Sequence, residues 1–313
     1  MKDRIITGLI LAAVLIPIVS IEIFLELFQV VMSLFVLIAS HELIRMYESK
    51  KKFQILPKIG ISLLALATFF SVGGVLGNGS HNPLQANGAL SITIPLITLV
   101  LFSFLVFFRD FNGEDVGKAL TIINYIGLGA ASIVILRFLG VRFIVYLFLI
   151  TSSTDIFAYV FGIRFGKHKM IPHISPKKSW EGAIAGSILG TIIASSFALF
   201  YGYVFYPGTW LGDLVNSTGQ LTLLDNFSSL GENYPLWVQA FIIVPVTFLA
   251  TIVGQIGDLV ASRLKRTYNI KDFGTLLPGH GGLIDRFDSV LFVAMFLTAV
   301  FLLIFRIYPG IIV

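Results

Sequence analysis

The sequence predicts an all-α fold, a polytopic integral membrane protein with about nine transmembrane helices, its N-terminus cytoplasmic and its C-terminus outside. Three observations predict this architecture. Of the 313 residues, 56% are hydrophobic and only 12% are charged, whereas soluble domains carry about 25% charged residues. Apolar runs close to the ~20 residues that cross a bilayer recur along the chain. Lys and Arg also collect in alternate loops, as they do on the cytoplasmic side of membrane proteins.

Nine apolar runs are taken as spans, at residues 5–24, 27–44, 59–76, 90–108, 120–138, 141–162, 183–206, 236–257 and 290–307. The first run also resembles a signal peptide, because a charged start precedes its apolar stretch. No small-x-small cleavage site closes it and a second apolar run follows at once, which favours a retained helix. The chain contains no cysteine, so disulfides are excluded.

The distribution of charge predicts the orientation and the domain organisation. With the N-terminus inside, only Arg137, Arg142 and Arg306 fall outside, so 19 of the 22 basic residues lie on the inner side, as the positive-inside rule requires. Two inner loops of the second half, 163–182 and 258–289, are polar, basic and rich in turn residues. We therefore expect a transmembrane scaffold over residues 1–140, and a catalytic transmembrane region with cytoplasmic active-site loops over 141–313.

Asp155 stands inside the sixth predicted span, in the stretch TSSTDIFAY. It lies about 8 residues, hence roughly 12 Å, from the inner end of that helix. A carboxylate at this depth is costly and by default marks a functional site with a partner or a water-filled cavity. The alternative is a helix-packing aspartate bonded to neighbouring Thr and Ser hydroxyls, and we favour the functional interpretation.

The loop after this span contains the stretch ISPKKSWEG, residues 174–182. Ser175 and Pro176 predict a helix start with proline at the first helical position, and Ser179 is a second candidate cap. Lys177 and Lys178 would then flank backbone N–H groups at the positive end of a helix, an arrangement suited to phosphate. The alternative is that both lysines only obey the positive-inside rule.

The longest polar stretch begins just after the eighth span, at Asp258. Asp258, Ser262 and either Lys265 or Arg266 are spaced to share one face of a helix that continues from that span. The turn PGHGG, residues 278–282, then allows the backbone to approach a ligand closely.

Asp285 and Asp288 follow at the mouth of the ninth span and, three residues apart, can project to the same side. Acids at the inner ends of helices, among several bases, suit a metal-bound polyphosphate, because carboxylates hold Mg²⁺ and Lys and Arg neutralise the remaining phosphate charge.

The alternative is a salt-bridged cytoplasmic cap in which Arg286 pairs with Asp285 or Asp288. The glycines on both sides of His280 argue against a mere cap, since salt bridges do not need them. His280 is either a phosphate or substrate contact or a loop-fixing hydrogen-bond partner. The predicted metal ligands are Asp155, Asp258, Asp285 and Asp288.

From Ser262 to Asp288 the chain reads S-x-L-K-R-x4-K-D-x-G-x2-L-P-x-H-G-G-L-x-D-R-F-D. This stretch resembles the signature of the phosphatidate cytidylyltransferase, or CDP-diacylglycerol synthase, family at all of its 17 specified positions. Thr154-Asp155, the run ISPKK and Glu181-Gly182 are similar to the family's other recurrent stretch. The resemblance is specific over residues 151–289, and over the first 140 residues it rests on polytopic character alone.

The resemblance implies that CTP and phosphatidate react to give CDP-diacylglycerol and pyrophosphate, with Mg²⁺, at the cytoplasmic face of the plasma membrane. The implied partners are CTP, phosphatidate in the bilayer and membrane lipid, with no nucleic acid, and the family suggests a homodimer. The expected catalytic residues are Asp258, Asp285, Lys265, Arg266, Arg286 and His280. The expected substrate-binding residues are Ser175, Lys177, Lys178, Ser262, Lys271, Gly281 and Gly282.

Two other classes of protein compete with this interpretation. A polytopic phosphosugar transferase acting on polyprenyl phosphate would also need Mg²⁺ carboxylates on cytoplasmic loops, but it does not account for the detailed signature. An ion or anion transporter predicts ionisable residues near mid-membrane and two related halves. Only Asp155 is predicted to lie deep and no halves correspond, so the transporter ranks last. No GxxxxGK[ST] or HExxH stretch is present, which leaves an ATPase or a zinc protease without support.

Overall fold

The computed structural model describes residues 13, 15–74, 89–225, 227, 235–276 and 281–307, and these are predominantly helical, as the sequence predicts. A helical stretch at 15–20 and a short 3₁₀ turn, Glu22–Phe24, come first. The helices that follow are α1 Leu25–Glu48, α2 Ile55–Gly73, α3 Ala89–Phe107, α4 Gly113–Leu139, α5 Val141–Phe165, α6 Trp180–Leu199, α7 Tyr201–Val204, α8 Trp210–Val215, α9 Leu236–Thr267 and α10 Ile284–Ile307.

Seven helices in the described part of the chain are long and apolar enough to cross a bilayer, namely α1, α2, α4, α5, α6, α9 and α10. They coincide with seven of the predicted spans, so the multi-pass character has structural support. The predicted span 90–108 corresponds to α3, whose stretch Ser91–Phe107 is apolar but shorter. The predicted span 5–24 falls largely outside the described residues. The count of nine and the side on which each terminus lies remain predictions.

Two helices of the second half extend beyond the spans that hydropathy predicts. Helix α9 continues to Thr267 instead of ending at residue 257, and α10 begins at Ile284 instead of 290. Hydropathy marks only the apolar part of a helix, whereas backbone hydrogen bonds continue through its polar turns. Asp258, Ser262 and Lys265 therefore lie on one continuous helix, as predicted.

A short antiparallel hairpin interrupts the helical pattern between α5 and α6. Strand β1, Lys169–Ile171, pairs with strand β2, Ser175–Ser179, with Lys169 opposite Ser179 and Ile171 opposite Ser175. The fold is thus nearly, but not entirely, α-helical. The predicted helix start at Ser175-Pro176 is wrong, because this segment is a strand paired with β1, and α6 begins at Trp180.

The chain packs as two compact units. The first unit comprises residues 1–138 and 264–287, and the second comprises 139–263 and 288–313. The segment 264–287 contains most of the signature, and it packs with the N-terminal helices although the sequence division groups it with the second half. We call residues 264–287 the signature segment.

The first unit has its core between α1, α2 and α4, where Val36, Ile61 and Ile126 are fully buried. Asn112 caps α4 by accepting the Asp115 N–H at 3.1 Å, and the Asp115 carboxylate accepts the Asn112 N–H in return. This capping box satisfies two backbone donors that a helix start otherwise leaves without partners. The cap therefore explains why α4 begins in the polar stretch that precedes its apolar run.

The second unit is organised by the close approach of α5 and α6. A Cβ atom added at Gly186 would lie 2.7 Å from the Thr154 carbonyl oxygen, and one at Gly190 would lie 2.5 Å from the Thr154 hydroxyl. Glycine at intervals of four residues lets two helix backbones approach closely, which is how transmembrane helices commonly associate. This packing fixes the part of α5 that carries Asp155.

Candidate active site

The second unit brings together three of the predicted site residues, one each from α5, β2 and α9. The Lys178 ammonium forms an ion pair with Oδ2 of Asp258, and the two side chains are 26% and 30% exposed. Asp155 lies within electrostatic range of both and its side chain is exposed. We call Asp155, Lys178 and Asp258 the acid–lysine group. It combines two carboxylates and one ammonium group at a position that remains partly accessible.

Hydrogen bonds between helices fix the position of Asp258 relative to α6. One turn before Asp258 on α9, the Gln255 side-chain amide donates to the Ser187 hydroxyl at 2.8 Å and to the Ala183 carbonyl at 3.3 Å. The Gly254 and Gly257 positions of the same helix lie against Val293 and Phe292 of α10. Because α9 is held on two sides, packing fixes the part of this helix that carries Asp258.

The hairpin positions Lys178 and separates it from Lys177. Successive side chains of a strand point to opposite faces, and Lys177 is exposed whereas Lys178 is half-buried against Asp258. Ser179 ends the strand and caps α6, its hydroxyl accepting the Gly182 N–H at 3.3 Å. The second candidate cap is therefore confirmed. Ser175, at the other end of β2, is half-buried and pairs with Ile171.

Immediately around Asp155, the polar side chains of α5 mostly bond to their own helix. The Thr151 hydroxyl donates to the Leu147 carbonyl at 3.1 Å, and the Ser153 hydroxyl donates to the Leu149 carbonyl. The Thr154 hydroxyl oxygen is buried and has no hydrogen-bond partner among the described residues. A narrow crevice beside these residues is lined by Thr154, Asp155 and, from α10, Ser289.

In the first unit, Asp285 organises the signature segment. Its Oδ1 accepts a hydrogen bond from the Lys265 ammonium at 2.7 Å, and its Oδ2 accepts the N–H groups of Phe273 at 2.8 Å and Gly282 at 3.0 Å. The side chains of Lys265 and Asp285 are only 14% and 6% exposed. The Lys265 ammonium also lies 5.0 Å from the centre of the Phe273 ring. Asp285 thus joins three separate stretches of the signature.

The backbone beside Asp285 requires glycine. Gly281 has a φ of 85°, in the left-handed region that side chains rarely adopt, and a Cβ there would lie 3.2 Å from Oδ2 of Asp285. Only glycine takes this conformation without steric cost. The turn that the sequence predicts at this point is therefore present on its C-terminal side, whereas residues 277–280, including His280, lie outside the described residues.

The remaining predicted site residues differ in burial. Asp288, one turn after Asp285 on α10, is buried, and its Oδ1 accepts the Ser289 N–H at 2.8 Å. Ser262 is half-buried on α9. Three bases at specified positions of the signature have exposed side chains, namely Arg266, Lys271 and Arg286. Lys265 is therefore less exposed than Arg266 in this part of the helix.

Glu42, a carboxylate near the end of the second predicted span, has no role predicted from the sequence. In the structure its side chain accepts hydrogen bonds from the backbone of the signature segment, at Leu283 and Ile284. An ionisable residue inside an apolar span is by itself a reason to expect a functional contact. Glu42 lies only two residues from the end of its predicted span, whereas Asp155 lies about 8 residues from the inner end of its own, so the sequence points to Glu42 more weakly than to Asp155.

The acid–lysine group and the Lys265–Asp285 pair differ in the chemistry that they can support. Two carboxylates near one ammonium group, as in the acid–lysine group, can hold a divalent cation together with a phosphate. The Lys265–Asp285 pair presents a fixed ammonium group beside exposed arginines and a glycine turn, which suits the neutralisation of phosphate charge. Among the described residues, no group of three or more His, Asp or Glu side chains converges on one point.

Comparison with known proteins identifies the family. The family model described as the cytidylyltransferase family matches residues 2–304. Phosphatidate cytidylyltransferases from Staphylococcus haemolyticus and Staphylococcus aureus are both 34% identical, over 198 and 206 residues, covering 63% and 64% of this chain and 64% and 66% of those proteins. These matches thus span just under two thirds of the relatives' length. The phosphatidate cytidylyltransferase of Bacillus subtilis is 32% identical over 303 residues, covering 95% of this chain and 96% of that protein. The resemblance drawn from the signature is confirmed, and the chain belongs to the cytidylyltransferase family.

Proposed function

We propose that this chain transfers the cytidylyl group of CTP to phosphatidate, forming CDP-diacylglycerol and pyrophosphate in phospholipid biosynthesis. The observation that carries the proposal is the complete signature at residues 262–288, in a chain whose family match extends over residues 2–304. The names of the curated relatives support the same reaction. The seven apolar helices suit an enzyme whose lipid substrate stays in the bilayer.

The reaction needs little general acid–base catalysis, because its nucleophile is an ionised phosphate oxygen. A phosphate oxygen of phosphatidate attacks the α-phosphorus of CTP, a new P–O bond forms, and the bond to the bridging oxygen breaks, so that its electron pair leaves with pyrophosphate. The phosphomonoester has a second pKa near ~6, so the attacking oxygen is mostly ionised at neutral pH. The obstacle is the approach of two anions, which fixed positive charge overcomes.

Among the predicted metal ligands, Asp155 and Asp258 of the acid–lysine group suit Mg²⁺ better than Asp285 and Asp288 do. Mg²⁺ is usually held by one or two carboxylates together with substrate phosphates, and Asp155 and Asp258 form such a pair. Asp285 and Asp288 rank second as ligands because their oxygens already accept backbone N–H groups. A bound Mg²⁺ would neutralise phosphate charge and stabilise the departing pyrophosphate.

The lysines and arginines of the site receive the complementary role. Lys178, which pairs with Asp258, would be able to contact a phosphate oxygen if Asp258 held a cation. Within the signature segment, Lys265, oriented by Asp285, is assigned to the neutralisation of phosphate charge, and the exposed bases attract the nucleotide. His280, Ser175, Ser262 and Gly281 remain assigned to substrate contact. Gly282, expected to bind substrate, instead lies buried between Asp285 and Glu42. Lys177, Arg266, Lys271 and Arg286 are assigned to the electrostatic attraction of both substrates.

The cellular setting forms part of the same proposal. The enzyme is placed in the plasma membrane as a homodimer, with the acid–lysine group facing the cytoplasm, where CTP is available. The excess of Lys and Arg in the loops predicted to be inner supports this side. Cross-linking in isolated membranes tests the dimer, and a band only at monomer mass would contradict it.

The test is an assay of the purified protein in lipid–detergent micelles with CTP labelled in the α-phosphate and phosphatidate. We expect the label to move into the organic phase only when phosphatidate and Mg²⁺ are both present. A parallel reaction offers polyprenyl phosphate and a labelled nucleotide sugar. Label transfer to the polyprenyl lipid, with none to phosphatidate, would overturn the proposal in favour of a phosphosugar transferase.

A further inference from the structure

Glu42 makes an unusual contact for a side chain of a membrane-spanning helix. Its carboxylate, on α1, accepts the N–H of Leu283 at 2.9 Å through Oε1 and the N–H of Ile284 at 3.0 Å through Oε2. The residue is only 5% exposed. Ile284 is the first residue of α10, and the first N–H groups of a helix lack partners within it. Glu42 therefore caps a helix that lies more than 240 positions away in sequence.

The signature's own glycines make room for this carboxylate. A Cβ atom at Gly274 would lie 2.4 Å from Oε1 of Glu42, and one at Gly282 would lie 2.8 Å from Oε2. The carboxylate thus lies between two backbone stretches of the signature segment. At Gly274 and Gly282 it leaves room for the hydrogen atoms of glycine but not for a Cβ atom. The sequence predicts that the glycine-rich turn lets the backbone approach a ligand, but at Gly282 the Glu42 carboxylate occupies this space.

Other contacts hold the signature segment along the same helix. The rings of Tyr47 and Tyr268 meet edge to face, with centres 5.1 Å apart, and the rings of Phe35 and Phe287 do so at 5.0 Å. The Lys50 ammonium lies 4.8 Å from the centre of the Tyr268 ring. Helix α1 therefore supports the segment at both of its ends, and Glu42 supports it at the turn between them.

We propose that Glu42 is a positioning residue for cytidylyl transfer, which holds the Gly282–Ile284 backbone so that Asp285 can orient the Lys265 ammonium. This rests on the function proposed above. The geometric link is short, because the Gly282 N–H donates to the same Oδ2 of Asp285 that accepts the Phe273 N–H. If Glu42 releases the turn, Asp285 loses the backbone that fixes its carboxylate, and Lys265 loses its orientation.

The first test is Glu42→Gln, compared with Glu48→Gln in the same helix. Glu48 is a matched control because it too accepts a backbone N–H, from Phe53. It also pairs with Lys58, and among the described residues none of its hydrogen bonds or ion pairs reaches the signature segment. Glutamine keeps the shape of the side chain but lacks its charge. Its amide NH₂ group would face the N–H of Leu283 or Ile284, so one of these two hydrogen bonds would be lost. We expect kcat/KM to fall about 10- to 100-fold, as is typical when an outer support of a site is removed, with Glu48→Gln close to wild type.

A readout independent of turnover accompanies the rates. Amide hydrogen exchange in peptides covering residues 272–290 should accelerate in Glu42→Gln, while exchange in α5 and α6 stays as in the wild type. A residue that only stabilises the fold would instead lower the melting temperature, leave the specific activity of the folded fraction unchanged and speed exchange throughout the unit. That pattern would overturn the proposal.

A second pair of variants approaches the same contact from the other side. Gly274→Ala places a methyl group where the Glu42 carboxylate lies, whereas Gly117→Ala adds a methyl group with nothing within 4 Å and serves as its control. We expect Gly274→Ala to lower kcat/KM in the wild-type background and to have little further effect in a Glu42→Ala background, because the carboxylate with which it collides is gone. Additive losses would show that the two positions act independently and would contradict the proposal.

The two proposals fail in different ways. If the wild-type chain forms no CDP-diacylglycerol, the proposed function is wrong, and the exchange experiment alone decides whether Glu42 holds the turn. If the wild type is active, and Glu42→Gln matches it in both rate and exchange, the function stands and the positioning role is wrong.

Discussion

Neighbouring residues of the site have different surroundings, and the two lysines of β2 illustrate this. Lys178 pairs with Asp258, whereas the side chain of Lys177 is exposed on the other face of the strand. At Asp285 the contrast lies between the two oxygens, one bound to an ammonium group and the other to two backbone N–H groups. Such contacts determine which charges have fixed positions, and fixed charges contribute most to catalysis because they need no reorganisation.

For the lysines, we expect Lys178→Ala to lower the rate of cytidylyl transfer by about 10²-fold, in the range found when one stabilising donor is removed. Lys177→Ala should have a clearly smaller effect, since an exposed lysine has no fixed partner. The measurement is kcat and KM for CTP in matched detergent preparations, with Lys178→Arg as a charge-preserving comparison. Equal losses in the two alanine variants would contradict the distinction between the faces of the strand.

For the carboxylates, we expect Asp258→Asn to reduce turnover by about 10² to 10³, or about 3–4 kcal/mol. Asparagine is nearly isosteric but lacks the charge that holds Mg²⁺. Combining it with Asp155→Asn should cost much less than the product of the single effects, because both acids serve one cation. The experiment records rate against Mg²⁺ concentration, with Asp213→Asn as control. Variants that melt early yet keep normal specific activity and Mg²⁺ dependence would show a merely structural pair.

At the scale of elements, the acid–lysine group depends on how closely α5 and α6 pack. Gly186 and Gly190 bring the backbone of α6 against Thr154, next to Asp155, and Ser179 links the same helix to the strand that carries Lys178. One helix pair and one cap therefore determine the distance between an acid and a base that are more than 20 positions apart in sequence.

This packing predicts the effect of a single methyl group. Gly186→Ala would place Cβ 2.7 Å from the Thr154 carbonyl oxygen, whereas Gly117→Ala meets nothing within 4 Å. We expect the first change to destabilise the protein by about 1–3 kcal/mol, as overpacking typically does, and to lower activity by moving Asp155. The second should leave both unchanged or slightly raise stability. Thermal unfolding in detergent measures the difference, and equal melting temperatures would contradict it.

At the scale of the whole molecule, the division into two units is not the division of the sequence into halves. The first unit takes up the signature segment, residues 264–287, and the second contains the acid–lysine group. Helices α9 and α10 each contribute residues to both units. The N-terminal helices are thus more than a membrane anchor, because α1 holds the segment that carries Lys265 and Asp285.

The orientation of the whole chain is also testable. A reporter that is active only outside the cell should work when fused after Val313 and fail when inserted into the β1–β2 hairpin, because nine spans with a cytoplasmic N-terminus place these sites on opposite sides. A cytoplasmic reporter should give the converse result. Activity of the outside reporter in the hairpin would overturn the predicted sidedness.

The sequence by itself determined the membrane class, the positions of seven helices and the family, and it predicted the candidate site residues. Hydropathy and the spacing of Asp258, Ser262 and Lys265 along one helix are local properties, which is why they could be read from the chain alone. The helix start expected at Ser175 failed for a non-local reason, since hydrogen bonds from β1 stabilise a strand there.

Only the tertiary structure decided which charges meet. The pairing of Lys178 with Asp258, the role of Asp285 at the turn and the contact of Glu42 with the start of α10 all join residues from separate parts of the sequence. Their partners depend on how the helices pack, and a carboxylate within a span predicts that a partner exists without indicating which one. Glu42 and Asp155 are both carboxylates within predicted spans, although at different depths, and packing determined which partners each of them has.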